Sequence, residues 1–260
     1  MNHDLLNESI LRKTLKNCAD GMQIAVLKSC SSTNVLAREL AVEHPDTLAL
    51  LVAEQQTAGR GRLGRQFHSP VGAGVYASLL YPLSAPLTSA VAMTCATSVA
   101  VMRAIRRVTG LQTDIKWVND LLLEGKKVCG ILIEAVTVGE KTSLVIGVGI
   151  NLRPMEFPAE LSEIAGTLGQ TDVSRCELIA AVLQELLPFL KAPSDRGWLE
   201  DYRTHSCVIG REILRLKDGE ALPCFAERID ENGGLWIRYP DGRQELLQNG
   251  EVSVRFPKKN

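Results

Sequence analysis

Residues 58–70 read AGRGRLGRQFHSP. Arg60, Arg62 and Arg65 are interleaved with Gly59, Gly61 and Gly64, and no acidic residue lies among them. Glycine lets backbone N–H groups approach a ligand closely, and guanidiniums supply charge, so the mixture suits a polyanion such as nucleotide phosphates or an acyl-phosphate. The GxxxxGK[ST] phosphate loop occurs nowhere in the chain. Residues 59–64 match the GxGxxG spelling of dinucleotide folds. Arginines fill the positions after the close-approach glycines, however, and no acid follows about 20 residues on. The competing reading is a glycine-rich hairpin with solvated arginines.

Three further segments carry groups of the right kind. In KWVNDLLLEGKKVCGILIE (116–134), Asn119 and Asp120 stand at a strand end and Lys127 at the start of the next strand. Asp120 suits Mg²⁺ or a ribose hydroxyl, and Lys127 is a point charge for a carboxylate or phosphate. GVGINL (147–152) puts Asn151 directly after an apolar run, where its amide can meet a base or ribose. SSTN (31–34) sets hydroxyls and an amide at a helix start, suited to a neutral polar ligand group. Taken singly, these read equally as turn residues, a solvated strand end and a helix cap.

The elements that must position them follow from periodicity. Strands are expected over 22–29, 48–56 and 74–82, and a helix from the SSTN cap to about residue 43. A long helix over 86–109, opened by Pro86 and ended by Gly110, continues a stretch free of Lys, Arg, Asp and Glu from Ser69 to Met102. Its prolines and many Ser and Thr favour a buried helix over a membrane span. Residues 113–120 give a short strand running into a polar loop. Residues 126–152 form a hairpin about Gly139-Glu140-Lys141. Residues 153–174 read as a mobile loop, and 175–191 and 197–206 as helices. Beyond residue 207 five short runs are separated by Asp-Gly and Asn-Gly turns, a meandering SH3-like barrel. The expected architecture is α+β: a mixed, largely antiparallel sheet flanked by helices (1–206), then a small β-barrel (207–260). A single domain whose last strands extend the main sheet is the alternative.

The chain has 260 residues, a formal charge of −1 and 45% hydrophobic residues, ordinary for a globular protein with a sizeable core. Neutral balance gives no push toward nucleic acid. Seven cysteines, an odd number with no CxxC pair, read as reduced thiols of a cytoplasmic protein. The N-terminus lacks an apolar secretion signal.

Together these segments resemble the biotin protein ligases, also called biotin–[acetyl-CoA-carboxylase] ligases. The residues that carry the likeness are Ser32-Thr33-Asn34, Gln55 to Arg65, Ser69-Pro70, Lys116 to Asp120, Lys127 to Glu134 and Gly149 to Leu152. The resemblance runs from about residue 24 to the end and implies a class II synthetase-like fold. It implies a two-step reaction: biotin and MgATP give biotinyl-5′-AMP and pyrophosphate, and a carrier-protein lysine then takes the acyl group. It also implies site roles. Ser32, Thr33, Asn34, Gln56, Arg60, Gly61, Arg62, Lys127 and Gly130 would line the biotin site. Arg62, Arg65, Asp120, Asn151 and Arg255 would serve the nucleotide, with Asp120 toward Mg²⁺. Arg62 and Lys127 would carry the catalysis.

ATP with Mg²⁺ and biotin are thus expected as substrates, with no tightly bound metal. The expected partner is the biotin carboxyl carrier protein of acetyl-CoA carboxylase, with neither DNA nor membrane and with a homodimer left open. The family usually has Trp at Phe67 and Pro at Val118, changes expected to alter packing rather than chemistry. Only about 22 residues precede the first strand, fewer than the roughly 60 of the winged helix-turn-helix in bifunctional members, so the likeness is to the form without a repressor module. A lipoate or octanoyl ligase of the same fold and a non-enzymatic biotin- or nucleotide-binding regulator are the rival readings.

Overall fold

The computed structural model describes residues 4, 6–84, 89–217, 219–248 and 251–254. It opens with a helix, α1 (Glu8–Leu15), that sequence periodicity did not single out. Asn7 caps it, its side chain accepting from the backbone of Ser9 and Ile10, and Leu11 and Leu15 are buried beneath it. The chain continues through β1 (Gln23–Leu27), α2 (Thr33–Glu43), β2 (Ala49–Ala53), β3 (Gly74–Pro82) and α3 (Ala90–Thr109). Ser89 caps α3 and Gly110 ends it in the left-handed conformation. Pro86, the expected opener of this helix, lies outside the described residues.

Next come β4 (Asp114–Lys116), β5 (Asp120–Leu123), β6 (Lys126–Val138) and β7 (Lys141–Asn151). The strand expected over 113–120 ends at Lys116, and in place of a polar loop a tight corner leads straight into β5. Leu121 and Leu122 there are buried, and the strand pairs with both neighbours. The peptide between Trp117 and Val118 in that corner is cis. Helices α4 (Arg175–Lys191) and α5 (Leu199–Thr204) complete the first part.

The main sheet has seven strands in the order β1-β2-β3-β7-β6-β5-β4. Only β1 and β2 are parallel; the remaining neighbours run antiparallel. Alternation splits β2 between two cores. Leu50 and Val52 face α3 and α4, whereas Ala49 and Leu51 join Leu80 and Val145 under α2. Small residues at the α2 contact, Ala37 and Ala41, bring that helix close to the sheet. Helix α3 is buried along most of its length, and no helix among the described residues is long and apolar enough to cross a membrane.

The last strands form a separate antiparallel sheet. It comprises β8 (Arg211–Lys217), β9 (Glu220–Ile229), β10 (Leu235–Arg238), β11 (Gln244–Leu247) and β12 (Glu251–Val254), in the order β11-β10-β9-β8-β12. β12 returns to pair with β8, as a meandering SH3-like barrel requires. The Gly233 turn of this unit meets the main sheet. Its carbonyl accepts from Trp117 Nε1 at 2.9 Å.

Candidate functional site

Glycines make the floor of the site. Strand pairing sets Ser78, Gly147 and Leu132 side by side across β3, β7 and β6, with Tyr76, Gly149 and Gly130 in the next row but one. Gly130, Gly147 and Gly149 therefore strip side chains from one patch of the sheet on the face covered by α2. The groups above come very close. A Cβ on Gly147 would lie 2.0 Å from Asn34 Oδ1, and one on Gly149 would lie 2.6 Å from the Phe67 ring. Glycine inside a strand signals such close approach.

Over this floor opens a cavity of about 920 Å³. Its wall includes Ser32, Thr33, Asn34, Gln56, Arg60, Gly61, Arg62, Arg65, Asp120, Lys127, Gly130 and Asn151, so every expected site residue but one meets in one place. The exception, Arg255, lies outside the described residues, although Val252 of β12 reaches the wall.

One end of the cavity is uncharged and polar. Ser32 occupies the cap position of α2 but makes no side-chain capping bond, so its buried hydroxyl is not used to hold the helix. Gln56 Oε1 accepts the Thr33 N–H at 2.8 Å, with the Thr33 hydroxyl 3.1 Å away. Gln56 Nε2 donates to Ser69 Oγ at 3.0 Å, and Ser69 in turn donates to the Phe67 carbonyl at 2.9 Å. Ser69 thus closes the base of the arginine-glycine loop, while the Pro70 carbonyl takes the Tyr76 hydroxyl at 3.0 Å.

The loop itself is a narrow hairpin. Phe67 N–H donates to Gly59 O at 2.9 Å and Gly61 N–H to Arg65 O at 2.7 Å. Its tip, Arg62–Gly64, is a single 3₁₀ turn that leaves Leu63 73% exposed. Arg62 Nη1 donates to Asn119 Oδ1 at 3.1 Å, crossing from the loop to the corner before β5. Asn119 is held in place by its own Nδ2, which donates to Ile131 O at 2.7 Å.

At the charged end, Lys127 Nζ lies 2.6 Å from Asp120 Oδ1. This is an ion pair outside hydrogen-bonding geometry, since that oxygen is buried with no hydrogen-bond partner. Asn151 Oδ1 is likewise buried without one, while its Nδ2 donates to Gly166 O at 2.9 Å. Lys127 balances the charge on the Asp120 oxygen, whereas the Asn151 oxygen is costly to bury unless a ligand or water meets it. Both are hard donors of the kind Mg²⁺ takes when it arrives with a phosphate substrate. Among the described residues, no group of three or more His, Cys, Asp and Glu could hold a metal ion.

Residues 153–174 lack regular structure, but part of the segment is bound to the sheet rather than standing free. Lys127 N–H donates to Ile164 O, Gly166 N–H to Lys127 O and Leu168 N–H to Asn151 O, at 2.8 to 2.9 Å. Phe157 and Leu161 from this segment form part of the cavity wall, and His68 tilts against Phe157 at 6.1 Å between ring centres.

A buried ionic cluster braces the rear of the site. Arg175, 2% exposed, donates to Glu54 Oε2 at 2.7 Å and to Asp4 Oδ2 at 3.0 Å. Arg153 reaches the same Asp4 oxygen at 2.8 Å. Glu54 lies two residues before Gln56, and Arg153 two after Asn151. The cluster therefore ties together both strand ends that feed the cavity. Nothing in the residue pattern announced it.

The fold and site define an α+β protein with a cavity that joins an uncharged polar recess to a cationic wall. The model of the biotin/lipoate A/B protein ligase family matches residues 26–151. The biotin–[acetyl-CoA-carboxylase] ligase of Paracoccus denitrificans is 31% identical over 237 residues, which span 85% of this chain and 96% of that protein. The bifunctional ligase/repressor BirA of Bacillus subtilis is 39% identical over 203 residues, 77% of this chain but only 61% of that protein. Among solved structures, a biotin protein ligase from Aquifex aeolicus in complex with biotin and ATP superposes with a TM-score of 0.74 at 28% identity, covering 90% of this chain and 98% of that one. The chain belongs to the biotin protein ligases of the biotin/lipoate A/B protein ligase family.

Proposed function

We propose that this protein activates biotin with MgATP and passes the biotinyl group to a lysine of a biotin carboxyl carrier protein. The observation that carries this reading is one cavity whose wall combines an uncharged polar recess at Thr33 and Gln56 with the cations Arg62 and Lys127, the carboxylate of Asp120 against Lys127, and the buried oxygen of Asn151. A neutral ureido ring, a carboxylate and a nucleotide phosphate match those groups.

In the first step a biotin carboxylate oxygen attacks the α-phosphorus of ATP. A mixed anhydride forms and the bond to pyrophosphate breaks. Two anions must meet, so positive charge has to screen them and stabilise the charge that builds on the phosphoryl oxygens. Arg62 and Lys127, which contact the adjacent Asn119 and Asp120, would supply that charge. Arg60, Gly61 and Gly130 would border the biotin tail, and Arg65, Asp120, Asn151 and Arg255 the nucleotide. No protein nucleophile is needed, and catalysis is positioning plus electrostatics. In the second step the carrier lysine's free amine attacks the acyl carbon, an amide forms, AMP leaves and the nitrogen loses a proton. Phe67 would pack on the floor at Gly149 where the family usually has Trp. We place the reaction in the cytoplasm, where thiols stay reduced, with neither DNA nor membrane as a partner.

The test is mass spectrometry of a carrier domain incubated with this protein, biotin and MgATP. One added biotinyl group on one lysine is expected. Biotin-dependent ATP–pyrophosphate exchange checks the first step separately, and exchange supported by lipoate but not biotin would overturn the assignment.

A further inference from the structure

Behind the polar recess, side chains that do not line the cavity continue its hydrogen bonding to a carboxylate. Ser78 is fully buried, with its Oγ 2.7 Å from Thr33 Oγ1 and 2.6 Å from Asn34 Oδ1. Asn34 Nδ2 donates to Glu134 Oε2 at 3.0 Å and to the Leu132 carbonyl at 3.3 Å. Arg38 Nη1 donates to the other carboxylate oxygen, Glu134 Oε1, at 3.2 Å.

Proton counting constrains these contacts. An amide can be turned either way, and its neighbours decide. If Asn34 were reversed, its oxygen would face two acceptors, Glu134 Oε2 and Leu132 O. Hence Oδ1 must face Ser78. The single Ser78 proton lies between that oxygen and Thr33 Oγ1, and the Thr33 hydroxyl donates its own proton to Gln56 Oε1. Every proton of Thr33, Ser78 and Asn34 is therefore taken by a protein oxygen, those of the Asn34 amide by Glu134 and Leu132.

We infer that Glu134, which is absent from the cavity wall, is a positioning residue that sets the polarity of the recess. By orienting Asn34 it leaves Thr33 and Asn34 presenting only lone pairs to a ligand. A wall of acceptors selects a ligand group with N–H donors. It disfavours one that offers only acceptors, because the buried oxygens would then stay unpaired. The inference rests on the reading that a ureido ring occupies this end, and an apolar dithiolane ring offers no such donor.

Calorimetric titration of biotin, with KM for ATP measured on the same samples, tests it. Glu134→Ala should weaken biotin binding about tenfold, the loss of one charge-assisted hydrogen bond. The KM for ATP should stay within about twofold, since a general loss of structure would move both. Glu134→Gln, which can still turn an oxygen to Asn34, should recover most of the affinity. Ser78→Ala interrupts the same network without touching Glu134 and should reproduce the selective loss, which keeps the test open if Glu134→Ala fails to fold. Biotin affinity unchanged in Ser78→Ala or in folded Glu134→Ala, or equal losses for biotin and ATP, would overturn the inference while leaving the proposed function intact. Failure of the wild-type protein to bind biotin would overturn both.

Discussion

Alanine at position 147 is the sharpest probe of the glycine floor. The added Cβ would stand 2.0 Å from Asn34 Oδ1, 2.8 Å from its Cγ and 3.0 Å from its Nδ2. Asn34 cannot give way easily, because Leu132, Glu134 and Ser78 all hold its amide. Driving it out forfeits hydrogen bonds worth about 0.5–1.5 kcal/mol each. Overpacking adds about 1–3 kcal/mol. Stiffening the unfolded chain returns about 0.4–1 kcal/mol, since Gly147 has ordinary strand geometry. The net expectation is a loss of about 2–4 kcal/mol, or roughly 5–15 °C in Tm for a chain of this size, together with weakened biotin binding. Urea denaturation and biotin titration measure the two effects.

The decisive comparison uses a second background. Asn34→Ala removes the obstacle, so Gly147→Ala should cost little there, and the pair should be non-additive by about 1–3 kcal/mol. Equal costs in both backgrounds, or a Gly147→Ala protein as stable and as competent for biotin as the wild type, would refute the reasoning.

Four other outcomes are expected. Lys127→Ala should slow pyrophosphate release in a single turnover by about 10²–10³. It should cost only about 1 kcal/mol or less in stability, because its pair with Asp120 is partly exposed; an unchanged rate would reject the role given to it. Arg62→Ala removes the bridge from loop to Asn119 and should release biotinyl-5′-AMP faster. Gel filtration of the preformed complex reads this, and full retention would count against it. Asp4 is pushed up by burial, but hydrogen bonds and charge from Arg175, with Arg153, outweigh this and hold it below its ordinary 3.8. A carboxyl depressed in the folded state contributes stability above its unfolded pKa and loses it as pH falls through the folded one. The stability advantage over Asp4→Asn in urea should therefore be constant near neutrality and shrink below 3.8, and an advantage that grew in acid would be inconsistent. Finally, Cys95, Cys129, Cys176, Cys207 and Cys224 are buried, and burial pushes the Cys207 thiol up to about 11. A thiol reagent should therefore label only Cys18 and Cys30 in the native protein, and rapid reaction of more than two thiols would contradict this packing.

Much of the design is legible in the chain because it is local. Apolar runs bounded by turn residues specify β3 and the long hairpin of β6 and β7. Ser174 and Gly110 mark helix ends, and the arginine-glycine stretch concentrates positive charge. Motif residues far apart in sequence converge because they stand at ends of strands, where an antiparallel sheet brings turns together. Local pattern fails where partners are distant. Helix α1 is short and gains its burial from α4. β5 is four residues long and exists only because β4 and β6 flank it. Residues 153–174 lack a period of their own, yet backbone bonds to Lys127 and Asn151 bind part of them down.

The residue order by itself settled most element types and the charge of the loop, since both depend on side-chain chemistry and short-range periodicity, whereas the expected members of the cavity wall came with the family resemblance. Register and hydrogen-bond direction belong to the folded molecule. Nothing in GVGIN says that Gly147 lies beneath Asn34, and nothing in Glu134 says that its carboxylate orients that amide. Those facts arise only when strands some 70 residues apart pair at one particular offset, β3 beside β7. A hydrogen bond depends on tenths of an ångström, and only packing specifies distance that finely.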